Sequence, residues 1–231
     1  MGNDDPMIEY AIKHSLEDSA MAHHRALCEA MATRDEAQLH LVNALHAAES
    51  GSVLAMCIVA RCLASGYATE RSESRAGEWA ARAAANHFAP GQYLQAHLLP
   101  PDQRDSSAAR RLLEAAAESG FVPAALEVAY GLLDGRFGAP EPKGYVEYLA
   151  IAASEDDRGS AMELAQAYER GLGVARDDSV AVTWYVRAAE LGSAMACTRL
   201  SMAYSFGQLG QGIDPAKAEL YSRRSKDSAA L

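Results

Sequence analysis

A chain of 231 residues can bury a substantial core, and with 49% hydrophobic but only 7% aromatic residues its apolar mass lies mainly in alanine and leucine, which favour helices over strands. The formal net charge of −10 excludes the basic face that nucleic acid or an anionic membrane requires; Lys217, Arg223, Arg224 and Lys226 read as a solvated last helix with cations near its C-terminal dipole. No stretch approaches the length of a membrane-spanning helix, and the start at Asp4, Asp5 and Pro6 lacks the basic and apolar regions of a signal peptide, so the chain reads as cytoplasmic.

In chain order, Met7 to Glu17 places Ile8, Ala11, Ile12 and Ser15 at helical spacing, and Ala20 to Ala32 and Glu36 to Glu49 read as two more helices. Residues 1–52 are therefore expected to form an N-terminal helical cap with a degenerate repeat, continuous as one domain with a solenoid over 53–231. The repeat is visible in Ala47-Ala48-Glu49-Ser50-Gly51, Ala116-Ala117-Glu118-Ser119-Gly120 and Ala188-Ala189-Glu190-Leu191-Gly192. Weaker copies end at His87 and Asp156, so the ends 51, 87, 120, 156 and 192 are spaced by 36, 33, 36 and 36 residues, the length of a two-helix unit.

The best copy runs from Ala161. Ala161, Leu164, Ala165 and Tyr168 share one helical face, as do Ala181, Trp184 and Ala188 on the next helix, with Gly171 and Gly173 breaking the chain between them. Neither helix covers its own stripe, so each unit must stack on the next, with Trp184 expected to fill the interface. The predicted fold is all-α: a right-handed α/α superhelical solenoid of about five helix-turn-helix repeats.

These residues carry a resemblance. The pattern A-x-x-L-A-x-x-Y-x-x-G-x-G-V, then A-x-x-W-x-x-x-A-A-x-x-G, resembles the Sel-one-like repeat, a tetratricopeptide relative, from about Met56 to Tyr221. Cys197, Leu200, Tyr204, Gly207, Ala218 and Tyr221 repeat the plan, as do Val59, Ala60, Leu63, Gly66, Ala76 and Trp79, and Val128, Ala129, Leu132, Gly135 and Tyr148. One unit departs: Pro100-Pro101-Asp102 replaces the glycine turn and Leu112 takes the Trp position. The resemblance implies adaptor or scaffold work, often in bacterial signalling, envelope or host-contact systems, without a cofactor; the disulfide ladder of secreted members has no counterpart here.

Chemistry is sparse. No P-loop, dinucleotide fingerprint, nucleophile elbow or zinc-protease motif is present, and the chain does not read as an enzyme. Of Cys28, Cys57, Cys62 and Cys197, the pair Cys57–Cys62 on one helix would lie about 7.5 Å apart along the axis, beyond disulfide reach, and four free thiols suit a reducing compartment. Asp156-Asp157 and Asp177-Asp178 read as helix caps. His14, His23, His24, His40 and His46 concentrate in the cap; the spacing of His40 and His46 does not suit a metal, and solvated helix histidines are the ordinary reading.

The repeat register places a binding surface. Positions turned away from the buried face of each first helix are Cys57 and Arg61; Tyr93 and His97; Leu126, Tyr130 and Leu133; Met162, Gln166 and Glu169; and Thr198, Met202 and Phe206. So many apolar side chains at solvent positions point to contact with something. The leading expectation is a concave groove centred on Tyr93, Tyr130, Met162 and Met202 that takes a peptide or partner helix, with no metal and no cofactor. The alternatives are an accessory protein with a metal or small-molecule site in the histidine-rich cap, a homo-oligomer using the groove on itself, and a superhelix wound tightly enough to bury these residues.

Overall fold

The computed structural model describes residues 5–14, 34–104 and 106–229, and the regular structure among them is helical. Two helices come first, α1 (Pro6–Lys13) and α2 (Arg34–Glu49). Five hairpins follow: α3 (Val53–Ser65) with α4 (Glu73–Ala85), α5 (Ala89–Leu98) with α6 (Ser107–Glu118), α7 (Val122–Leu133) with α8 (Pro142–Ser154), α9 (Arg158–Arg170) with α10 (Asp178–Glu190), and α11 (Ala194–Phe206) with α12 (Pro215–Ala229). Ser15 and the helix expected over 20–32, with His23, His24 and Cys28, lie outside the described residues.

The repeat seen in sequence is a backbone event. Gly51, His87, Gly120, Asp156 and Gly192, the five unit ends, all have positive φ, at 105°, 55°, 82°, 66° and 87°. Each is the left-handed residue at which the chain turns into the hairpin that follows, and the two weaker copies are those in which His or Asp takes a conformation that favours glycine. Within hairpins, Gly66, Gly171 and Gly207 cap α3, α9 and α11, their amides bonding the carbonyls of Cys62, Ala167 and Ala203. Gly173 has a second reason to be glycine: a Cβ there would stand 2.0 Å from the Pro142 carbonyl oxygen, because this turn packs on the start of α8. The single 33-residue step belongs to the hairpin whose turn is Pro100 and the short 3-10 helix Pro101–Gln103.

Caps start the helices. Ser52, Asp157 and Ser193 accept hydrogen bonds from Ala55 N (3.2 Å), Ser160 N (2.7 Å) and Ala196 N (3.2 Å). Phe88 and Phe121 occupy the same register in the second and third hairpins. A phenylalanine has no side-chain acceptor, and losing such a cap costs about 1 kcal/mol.

The chain divides into two compact units, an N-terminal body (Met1–Ala124) and a C-terminal body (Ala125–Leu231). In the N-terminal body Leu54, Met56, Cys57, Ile58, Val59, Leu63, Ala76, Ala83 and Phe88 form a cluster with Leu41, Ala44 and Ala48 of α2 and Met7 and Ala11 of α1. In the C-terminal body Val146, Leu149, Leu164, Tyr185, Leu200 and Tyr204 form another. Small residues set the spacing: Ala60, Ala96, Ala129 and Ala165 recur on the first helices, and Ala83, Ala116, Ala152 and Ala188 on the second, all essentially buried. The aromatic expectation needs correction. Trp184 is half-buried against the cluster, whereas its neighbour Tyr185 is 1% exposed, because Ala181, Tyr185 and Ala188 form the inward stripe of α10 and a one-residue shift turns a side chain by about 100°.

Candidate functional site

The thirteen residues expected to line a groove divide between the bodies, four in the N-terminal one and nine in the C-terminal one. In the N-terminal body Cys57 is fully buried, in the same cluster as Met7 and Ala11, so it offers no surface; desolvation pushes its thiol up to about 12 despite the opposing influence of Arg61. Arg61 is exposed but forms an ion pair with Asp5, just before α1. Tyr93 is half-buried, its ring edge-on to exposed His97 at 4.5 Å and to Phe121 at 5.3 Å. The first-helix face here is thus not open: Tyr10 of α1 lies 5.8 Å from Phe88 and 5.7 Å from Phe121, ring centre to ring centre.

In the C-terminal body the second correction is Met162, 7% exposed where an outward side chain was expected. It forms the floor of a cavity of about 350 Å³ lined also by Ala194, Met195, Thr198, Arg199 and Met202. The neighbouring helix leaves Met195 68%, Met202 44% and Phe206 68% exposed, with Thr198 beside them. Tyr130 is 40% exposed, while Leu126, Leu133, Gln166 and Glu169 are half-buried. Met195 was missed by the sequence rule because the corresponding position of the best copy is Gly159, which carries no side chain to suggest a lining role.

Two carboxylates of α9 pin this surface. Glu163 accepts hydrogen bonds from the hydroxyls of Tyr130 (2.7 Å) and Tyr145 (2.8 Å). Burial, and then the bond to Glu163, hold both phenols well above the usual tyrosine range. Glu169 accepts from the Tyr185 hydroxyl and from Arg199, whose Nη2 stands 2.6 Å away. Desolvation alone would raise the Glu169 pKa, but the bonds from Arg199 and Tyr185 outweigh it and hold the carboxyl below its ordinary value. Glu169, expected to line the groove, is therefore spent on positioning α9 against α10 and α11 through Tyr185 and Arg199.

The remaining polar groups do structural work. Asp157 and Asp177 cap α9 and α10, Asp177 accepting from Ser179 N at 2.9 Å and Val180 N at 3.0 Å, while Asp156 pairs with Arg187 and Asp178 with Arg176. His14 lies 2.8 Å from the Tyr10 carbonyl through Nδ1; His40 is half-buried and His46 exposed. Among the described residues no three His, Cys, Asp or Glu side chains are grouped so as to hold a metal ion, and no helix is long and apolar enough to cross a membrane. Cys57 and Cys197 are free thiols, and both are buried, as is Cys62.

Comparison with known proteins fits this geometry. A family model described as the Sel1 repeat matches residues 53–88, 91–121, 159–193 and 194–228. The mouse (Mus musculus) DAP3-binding cell death enhancer 1 is 34% identical over 99 residues, 43% of this chain, and the match spans only 19% of the mouse protein's length. The structure is similar to that of a Sel1 repeat protein from Oxalobacter formigenes, at TM-score 0.71 and 20% identity, covering 90% of this chain and 85% of that one. It is also similar to c5321, a protective antigen of uropathogenic Escherichia coli with an SLR fold, at TM-score 0.72 and 20% identity, covering 94% of this chain and 47% of that one. Repeats of this kind generally mediate protein interactions. With the family model matching more than half of the residues, on consecutive helical hairpins, this chain belongs to the Sel1 repeat family.

Proposed function

We propose that this protein is a non-enzymatic interaction scaffold that holds a helical or extended segment of a protein partner on the first-helix faces of its hairpins. The observation that carries the reading is the methionine-lined hollow of the C-terminal body, where Met195 and Met202 remain exposed beside Met162, with Phe206 exposed further along the same helix. Exposed apolar side chains at this density mark contact surfaces, and flexible, polarisable methionines suit a surface that adapts to its ligand. The tyrosine, glutamate and arginine groups around the hollow bond one another, which leaves shape and apolar contact as its main recognition elements. The buried free thiols of Cys57 and Cys197 support a reducing, cytoplasmic setting.

Capture from native extract, compared across variants, tests the proposal. Met202→Asp is expected to weaken capture of the specific partner at least tenfold, about 1.4 kcal/mol, with an unchanged melting midpoint. Tyr130→Ala is expected to act in the same direction. Equal capture by the parent and both variants would reject this surface as the binding site.

A further inference from the structure

We propose that α1 is an internal ligand, occupying the first-helix face of the N-terminal body in cis, and that a partner helix of the same pattern displaces it. That pattern is an acidic cap followed by apolar side chains two, five and six residues later: Asp5, Met7, Tyr10 and Ala11. The inference rests on the scaffold reading above and adds to it the kind of segment bound and how access is controlled.

Four observations point this way. Met7 and Ala11 are 5% and 0% exposed and share one cluster with Cys57 and Ile58 of α3, so the stripe of α1 is embedded in the face it lies on. Asp5 accepts from Met7 N at 3.0 Å, starting the helix, and its carboxylate also pairs with Arg61 of α3. Tyr10 packs edge-on against both Phe88 and Phe121. Those phenylalanines stand where the other three hairpins have a Ser or Asp that caps the helix, so two hairpins lack a capping bond at the positions that seat α1. In the repeat register the counterparts of Arg61 include Tyr130 and Met202, exposed residues of the C-terminal body. One body shows the kind of face, and the other shows a helix seated on it.

The seat is built for release. An eight-residue helix is too short to persist alone in water, so α1 is helical because the face holds it. The Asp5–Arg61 ion pair is partly solvated, and such pairs hold weakly. A longer partner helix with the same cap and stripe would make the same contacts and more.

Iodoacetamide labelling of the full chain, read residue by residue by mass spectrometry, provides the test, with fully buried Cys197 of the other body as the internal reference. In Met7→Asp and in the milder Tyr10→Ala, Cys57 is expected to label at least tenfold faster and Cys197 at the parental rate. An acetylated peptide of residues 5–14 should restore Cys57 protection in these variants, and should bind them at least tenfold more tightly than the parent by fluorescence anisotropy. Arg61→Glu should weaken that binding. Unchanged Cys57 labelling in both variants overturns the proposal, as does faster labelling of both cysteines, which would make α1 part of the folding core. A dimer on light scattering, with one copy's α1 filling another's face, overturns occupancy in cis. Failure here with Met202→Asp still losing its partner rejects only the role of α1; intact capture by Met202→Asp rejects the scaffold surface, while Cys57 still reports on α1.

Discussion

Tyr185 and Trp184 are neighbours in sequence and differ in every physical respect that matters for stability. Tyr185 lies inside the helix pair, between Ala181 and Ala188 along its stripe, and its hydroxyl donates to Glu169. Trp184 lies half-buried on the edge of the same cluster. Tyr185→Ala is therefore expected to cost about 3–5 kcal/mol through the cavity it opens, and Trp184→Ala about 1–2 kcal/mol because the site is partly open to water. Equilibrium urea unfolding of the two variants measures this, and a larger loss for Trp184→Ala would reverse the assignment of the inner face. Tryptophan is the more conspicuous residue in the repeat pattern. The rotation that buries its neighbour is decided by where the alanines fall, and Ala181 and Ala188 mark that stripe more directly than Trp184 does.

At the scale of the element, α9 is tied to its neighbours by two carboxylates. Glu163 ties it to Tyr130 on α7 and Tyr145 on α8, and Glu169 ties it to Tyr185 on α10 and Arg199 on α11. Because the folded-state pKa of Glu169 lies below the ordinary value of 4.5, its ionised form is favoured by folding. The stabilisation is complete above the unfolded carboxylate pKa and is lost as pH falls through the lower folded value. Glu169→Gln should thus lower stability near neutral pH by about 1–3 kcal/mol, the range for charge-assisted hydrogen bonds. The gap from the parent should shrink as pH falls below the ordinary value of 4.5. Thermal melts at a series of pH values check this, and a gap that stays constant into the acid range would mean that the Glu169 charge contributes nothing. The aspartates beside these helices follow simpler rules: Asp157 and Asp177 were legible as caps because helix starts have unpaired amides wherever the rest of the chain goes.

At the scale of the whole molecule, the last described hairpin differs from the others on one stripe. Counted from the capping residues Asp177 and Asp214, the position of Ala181 is still an alanine, the buried Ala218, but that of Ala188 becomes Ser225, and the residues just before these two, Lys217 and Arg224, are exposed. Charged side chains beside such a stripe resist the stacking of a second copy. Replacing both by alanine should produce concentration-dependent self-association where the parent shows none, and sedimentation velocity showing unchanged species would remove that role from the two cations. Length, composition and the spacing of the Ala-Glu-Ser-Gly ends were enough to determine helices, hairpins and family, because a left-handed residue at each of the five unit ends is a local requirement that each copy must satisfy for itself. The candidate surface was legible only in part. Register finds the side chains that face away from their own hairpin, but whether such a face is open depends on what else the chain lays upon it. Local spacing marked Cys57 as outward, and it is fully buried in a cluster shared with α1. Tyr10, Phe88 and Phe121 are far apart in sequence, and only the tertiary structure, which buries apolar side chains wherever a complementary surface lies within reach, brings their rings together.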